Sequence, residues 1–230
     1  MERGEIKSKA KEILEGRRGH YALFLLIAMV CYGILNFVLA FIPIIGSITT
    51  MVIMVIYQLI MATFTINLCN SREKVDYESI IPTATPIWKY GVIYLLFLLI
   101  FIVALMPISI IVSIVSYVGS GVEVIAIIVA AIAIIFAILL LGLPFIFTPY
   151  IVIENKEDSI GKMITESFKM VFSNLGKIIV MYLSLIPWYL LVIITFGIGT
   201  FYVTPYVNTI FYVMYKDIRG EELLEFKKLY

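Results

Sequence analysis

Residues 158–215 read DSIGKMITESFKMVFSNLGK (158–177), IIVMYLSLIPWYLLVIITF (178–196), GIGT (197–200) and FYVTPYVNTIFYVMY (201–215). The first piece carries charges on a helical apolar period, and the next two are apolar runs on either side of a glycine turn. This is the pattern of an interfacial helix followed by a membrane hairpin that returns to the charged side. The same unit can be traced three times along the chain, which gives the expected architecture: an all-α, polytopic membrane helix bundle of about six transmembrane helices, in three repeats of interfacial helix plus helical hairpin.

The chain has 230 residues, of which 62% are hydrophobic and only 14% charged. A water-soluble domain carries roughly 25% charged residues. No Asp, Glu, Lys or Arg falls within 19–71, 90–122, 124–153 or 178–215. A span takes about 20 apolar residues, so the first and last of these blocks are too long for one crossing. Each is expected to fold as a hairpin, because irregular backbone facing lipid leaves unpaired polar groups at several kcal/mol each. The expected segments are a cytoplasmic amphipathic helix (1–19), hairpin 1 (20–69), a cytoplasmic loop (70–89), hairpin 2 (90–153), a second cytoplasmic amphipathic helix (154–177), hairpin 3 (178–215) and a cytoplasmic tail (216–230). They form one membrane domain. Within it the six spans are read at 21–42, 48–68, 87–116, 124–153, 178–196 and 200–215.

Ile6, Ala10, Ile13 and Leu14 fall at i, i+4, i+7 and i+8, one apolar stripe on a helix expected to lie in the headgroup plane. Ile160, Met163, Ile164, Phe168, Val171 and Phe172 make the stripe of the second such helix, with Asp158 or Ser159 as its cap. Pro107 lies inside span 3, where a kink or break is expected, and Pro144 and Pro149 lie in span 4. The isolated Glu123 belongs to the turn 116–123, read as the outer end of hairpin 2.

Charge sets the orientation. If the chain crosses six times, the N-terminus, the 70–89 loop, the 154–177 segment and the tail share one face. They hold all 17 Lys and Arg residues. The positive-inside rule makes that face cytoplasmic, and the expected location is a bacterial plasma membrane.

Two motifs recur in the second and third units. Lys89 and Tyr94-Leu95 match Lys177 and Tyr182-Leu183, and Thr148-Pro149-Tyr150 matches Thr204-Pro205-Tyr206. In T-P-Y the Thr hydroxyl is placed to bond a carbonyl freed by a proline, marking candidate helix kinks. The first unit matches loosely, at Arg17, Tyr21 and Leu23.

From Ile164 onward the residues resemble a family of bacterial integral membrane proteins of unknown function, domain of unknown function 975. The resemblance is carried by Ser167 with Phe168-Lys169-Met170, Gly176-Lys177, Leu183 through Trp188, Gly197-Ile198-Gly199, Pro205-Tyr206 and Phe211-Tyr212. At the N-terminus Ile6-Lys7, Ala10-Lys11, Leu14 and Gly16 also fit. The chain departs from the family pattern at Val171-Phe-Ser-Asn174 and Leu185-Ile-Pro-Trp188. The resemblance implies a six-span membrane protein and carries no catalytic residues.

The residues themselves point away from enzymatic chemistry. Metal sites need clustered His, Cys or carboxylates, and the chain has one histidine, His20, and two cysteines, Cys31 and Cys69, at different expected depths. No G-x-S-x-G, H-E-x-x-H or phosphate loop occurs. No cofactor and no nucleic-acid partner is expected; the expected partners are membrane lipids, anionic headgroups at the cytoplasmic face, and an unidentified protein. The candidate intramembrane polar path comprises Asn36, Gln58, Asn208 and Thr209, and Asn67, Ser109, Ser113 and Ser184 are further polar groups in apolar runs. Such groups line a path or hydrogen-bond between helices. The expected function is a non-enzymatic scaffold or modulator of a membrane partner. Alternatives are a transporter, channel or lipid-handling protein with a path between proline-kinked helices, and an envelope-stress or self-immunity factor.

Overall fold

A computed structural model of the chain describes residues 1–71, 75, 80–118, 128–134 and 142–223. Among them every regular element is helical: α1 (Arg3–Leu14), α2 (Arg18–Leu39), α3 (Pro43–Asn70), α4 (Ala84–Val118), a 3-10 turn (Leu143–Ile146), α5 (Thr148–Glu154), α6 (Ile160–Ser173), α7 (Leu175–Ile194) and α8 (Thr200–Arg219). Residues 128–134 are also helical. The turn at 116–123, with Glu123, lies largely outside the described residues.

The fold is organised around α8. Every residue from Val203 to Tyr215 except Thr204 and Asn208 is buried, because α1, α2, α3 and α7 all pack on this one helix. It ends where Gly220 adopts φ 71° and closes the last carbonyls, its N–H donating to Asp217 O and that of Glu221 to Lys216 O. Only glycine takes that left-handed conformation without a Cβ penalty. The α2–α3 turn depends on Gly46 for a different reason: a Cβ there would stand 2.1 Å from the Leu39 carbonyl oxygen.

Four helices are long and apolar enough to cross a membrane: Arg18–Leu39, Thr49–Asn70, Ala84–Pro107 and Leu175–Ile194. The chain is thus a helical bundle of membrane-protein character. Within their most apolar windows α2, α4 and α7 bury 6%, 18% and 17%, and α3 buries 56%. So α3 is an inner helix, and the other three leave apolar faces bare. The helix expected as the sixth span, α8, is not among the four. Asn208, the threonines and its charged end lower its hydropathy, and its apolar residues face helices instead of lipid.

Three expectations at single elements are refined. The α1 stripe Ile6, Ala10, Ile13 and Leu14 is buried to 1% exposure or less, but against α8 and not in lipid. The segment expected as span 4 lies partly outside the described residues, at 124–127 and 135–141; in its described end the chain passes through the 3-10 turn at Pro144, and Pro149 then starts α5 at its first turn, where a missing N–H costs nothing. By contrast α4 runs through Pro107 unbroken, with Ser109 and Ser113 donating to the Met106 and Ser109 carbonyls.

The basic segments meet one another. The Arg17 guanidinium donates to the Ile13 carbonyl of α1 (2.6 Å) and to the Leu68 and Ser71 carbonyls at the end of α3 (2.9 and 2.7 Å). A cation is favoured at such helix C-termini, and here one side chain joins two of them. Lys89 Nζ donates to the Lys156 and Asp158 carbonyls (2.5 and 2.9 Å). Asp217 accepts the N-terminal ammonium at 2.6 Å and pairs with Lys177. Burial pushes the Asp217 carboxyl up, but Lys177 and the ammonium outweigh it and hold it below the ordinary aspartate value.

Candidate functional site

Two polar constellations stand out, one at the end of α8 and one halfway along it. At the end, Glu154 closes α5 and accepts hydrogen bonds from Tyr212 Oη (2.7 Å), Tyr215 Oη (3.2 Å) and Lys216 Nζ (2.9 Å). Asn70 of α3 donates to the Tyr212 hydroxyl (3.0 Å). Arg219 donates to Tyr215 Oη (2.7 Å), to Glu166 of α6 (3.1 Å) and to Glu221 (2.6 Å). Glu154 and two tyrosines thereby tie α3 and α5 to α8, and the Arg219–Glu166 pair ties α6 to it. Every partner is satisfied, so this is a structural lock rather than a vacant site.

The second constellation surrounds a cavity of about 360 Å³ between α3, α5, α7 and α8. Its polar lining comes from Tyr57 and Gln58 of α3, Tyr150 of α5, Tyr182 and Tyr189 of α7, and Thr204 and Asn208 of α8. Helical spacing explains the convergence. Thr204, Asn208 and Phe211 share one face of α8, and Tyr182 and Tyr189 share one face of α7.

Buried tyrosines orient both amides. Asn208 Nδ2 donates to Tyr21 Oη at 3.0 Å. Thr65 donates its own proton to the Met61 carbonyl (2.8 Å), so the 2.7 Å Tyr21–Thr65 contact must be a bond from Tyr21 to Thr65. The chain Asn208 to Tyr21 to Thr65 to Met61 therefore runs in one direction. On the opposite wall the Tyr90 hydroxyl donates to Gln58 Oε1. These bonds spend the nitrogen of Asn208 and the oxygen of Gln58. Among the described residues the complementary atoms, Asn208 Oδ1 and Gln58 Nε2, have no protein partner.

Of the four residues expected to form a path, Gln58 and Asn208 come together at the cavity. Asn36 does not join them; its amide donates to the Tyr32 carbonyl of its own helix (2.8 Å). Thr209 is fully buried and donates to the Pro205 carbonyl (2.8 Å), away from the lining. The two T-P-Y motifs also diverge. Pro149 begins α5 while Pro205 lies inside α8. Thr148 donates to the Pro144 carbonyl (2.8 Å) and meets the Ser167 hydroxyl at 3.0 Å, in a fully buried cluster. Thr204 lines the cavity, the Tyr150 hydroxyl donates to the Asn208 carbonyl (3.3 Å), and the Tyr206 ring packs edge-on against Trp188.

The residues that sequence reasoning missed are Tyr21, Tyr90, Thr65 and Glu154. Tyr21 reads as a boundary aromatic, and only the packing of α2 on α3 and α8 turns it inward. Of the stripe expected on the second interfacial helix, Met163 and Val171 are buried and Ile160, Ile164 and Phe168 pack partly buried against the core, while Phe172 is exposed; α6 also buries Ser167 and Met170. Ser167 belongs to that face because it meets Thr148.

No curated protein and no solved structure matches the chain. A family profile does, over residues 1–222 and so over both constellations, and the chain belongs to the family described as Protein of unknown function (DUF975).

Proposed function

We propose that this chain is a six-span protein of the bacterial plasma membrane that acts without covalent chemistry, as a scaffold or modulator of a membrane partner. The observation that carries this reading is the contrast between one wrapped helix and three bare ones. With α8 enclosed, α2, α4 and α7 present Leu26, Val30, Leu99, Val103, Leu183 and Leu190, each at least 40% exposed. Apolar faces that continuous are lipid-facing or partner-facing surfaces. Native mass spectrometry of the full chain in nanodiscs is expected to retain a stoichiometric protein partner; recovery of the chain with lipid alone would set the scaffold reading aside.

The six crossings add residues 124–153 and α8 to the four apolar helices, with both termini and all the basic segments on the cytoplasmic face. The contacts that join Arg17 to Ser71, Lys89 to the 156–158 backbone, and Asp217 to Lys177 and the N-terminus support a common face. Three helix-plus-hairpin repeats and the segment boundaries given above belong to the same reading, as does anionic lipid at that face, with about 1 kcal/mol per basic residue near the surface. The Arg18 contact is the one that opposes a common face, and it names the test. Its guanidinium carbon lies 4.3 Å from the Tyr202 ring centroid, about 22 Å along α8 from Asp217 at 1.5 Å per residue. In a chain lacking Cys31 and Cys69, Ile198→Cys is expected to react with an impermeant maleimide from outside the cell. Reaction only after permeabilisation would make α7 and α8 a re-entrant pair and lower the span count.

A second reading, transport or lipid handling, is favoured by the cavity and its two oriented amides. An envelope-stress or self-immunity role is compatible with either mechanism.

A further inference from the structure

We infer that the cavity between α3, α5, α7 and α8 holds the uncharged, hydroxyl-bearing headgroup of a neutral glycerolipid, an inference that rests on the lipid-handling reading.

Three observations converge. The first is charge: among the described residues the cavity lining contains tyrosines, amides, Thr204 and apolar residues, and no Lys, Arg, Asp or Glu. A phosphate brought there would find no counter-charge, and an unpaired ion in a poorly hydrated site is far more costly than a neutral hydroxyl. The second is hydrogen-bonding capacity. Asn208 Oδ1 accepts, Gln58 Nε2 donates, and the hydroxyls of Tyr57, Tyr182, Tyr189 and Thr204 do either. None of these six groups has a protein partner among the described residues, although each belongs to the lining of one space. A glycerol or sugar hydroxyl, both donor and acceptor, matches such a mixed set; an alkane does not.

The third is the mouth. Tyr182, Ile186 and Tyr189 fall on one stripe of α7, with Ile186 47% and Tyr189 39% exposed. Beside them Leu183 and Leu190 are 58% and 50% exposed. The rim of a polar cavity thus runs into a bare apolar face, as a ligand with a hydroxylated head and an acyl tail requires. The volume, about 360 Å³, suits a headgroup and the first carbons of its chain, and lies in the usual range for small-molecule sites.

The test uses the full chain in nanodiscs with a diacylglycerol probe carrying a diazirine at the glycerol end, and maps photo-adducts by peptide mass spectrometry. Adducts are expected on 57–62, 182–189 and 204–211. Unlabelled diacylglycerol at about tenfold excess should reduce them roughly tenfold by mass action, and phosphatidylglycerol at the same excess by less than about twofold. Thr204→Val with Gln58→Leu should weaken labelling by about tenfold; because Gln58 also holds Tyr90, Thr204→Val with Tyr189→Phe serves if that pair fails to fold. Unchanged labelling in a folded variant overturns the inference. So does equal competition by phosphatidylglycerol with adducts still on the cavity segments, an outcome that leaves lipid handling standing. Adducts confined to the outer faces of α2 and α4 overturn both.

Discussion

Glu154→Leu is expected to lower the unfolding temperature of the detergent-purified protein by about 10 °C. Removing one member of a buried ion pair costs about 3–5 kcal/mol, and 1 kcal/mol shifts a chain of this size by about 2–4 °C. The Glu154 and Lys216 side chains are 16% and 12% exposed, well inside the range where solvent screens little. The cost is high because the carboxylate serves three donors. Without it, Tyr212 and Tyr215 keep their hydroxyls in a packed interior, and Lys216 is left with Glu221 alone. The Lys216 ammonium also lies 5.7 and 5.8 Å from the Tyr212 and Tyr215 ring centroids, so the ion pair and the aromatic contacts fail together. Glu154→Gln keeps the shape and one acceptor and should cost about half as much. The exposed Glu157→Gln should stay within about 0.5 kcal/mol. Combined with Lys216→Met, Glu154→Leu is expected to cost less than the sum of the single changes, because the two residues meet in the same bond. Strict additivity would mean that the 2.9 Å contact carries no energy.

What the sequence discloses here is period and polarity; what it withholds is direction. The interval of Ile6, Ala10, Ile13 and Leu14 marks a buried stripe, and all four are buried. Their partner is α8, which lies about two hundred residues away in the chain, and no local signal points to it. A stripe destined for lipid and a stripe destined for another helix have the same composition. The polar residues of the apolar runs teach the same lesson. Asn36, Gln58, Asn208 and Thr209 are equally conspicuous in apolar runs, yet only Gln58 and Asn208 reach the cavity, because Asn36 and Thr209 satisfy carbonyls four residues back on their own helices. Small polar side chains in helices have this local option, and only tertiary packing decides whether they take it. The prolines behave alike: Pro144 and Pro149 interrupt the chain and Pro107 does not. The four long apolar helices were legible because uncharged apolar runs of about 20 residues stand out in any sequence. The lock at Glu154 was not, since a carboxylate at the end of an apolar run reads simply as the edge of the membrane.

Ile13→Ala is expected to destabilise the fold by about 3 kcal/mol, close to a 10 °C fall in unfolding temperature. Ile13 is 0% exposed on the face that α1 packs against α8. Truncating it removes apolar contacts and leaves a cavity that the closely packed α8 face cannot collapse to fill. A second loss follows from position. The Ile13 carbonyl accepts both Arg17 Nε and Nη2, at 3.0 and 2.6 Å, while Nη1 holds Leu68 and Ser71. Loosening α1 thus loosens the arginine that ties it to the end of α3. A helix lying in the headgroups gives the opposite pattern, since there Ile13→Ala would weaken association with liposomes and leave the detergent-solubilised fold intact. Measuring both quantities on the full chain separates the two cases, with Ile193→Ala, at a position 70% exposed, as the control. A large fall in unfolding temperature for Ile13→Ala with little for Ile193→Ala establishes α1 as part of the core. Equal, small effects would return α1 to the membrane surface and leave the α8 face opposite it without a cover.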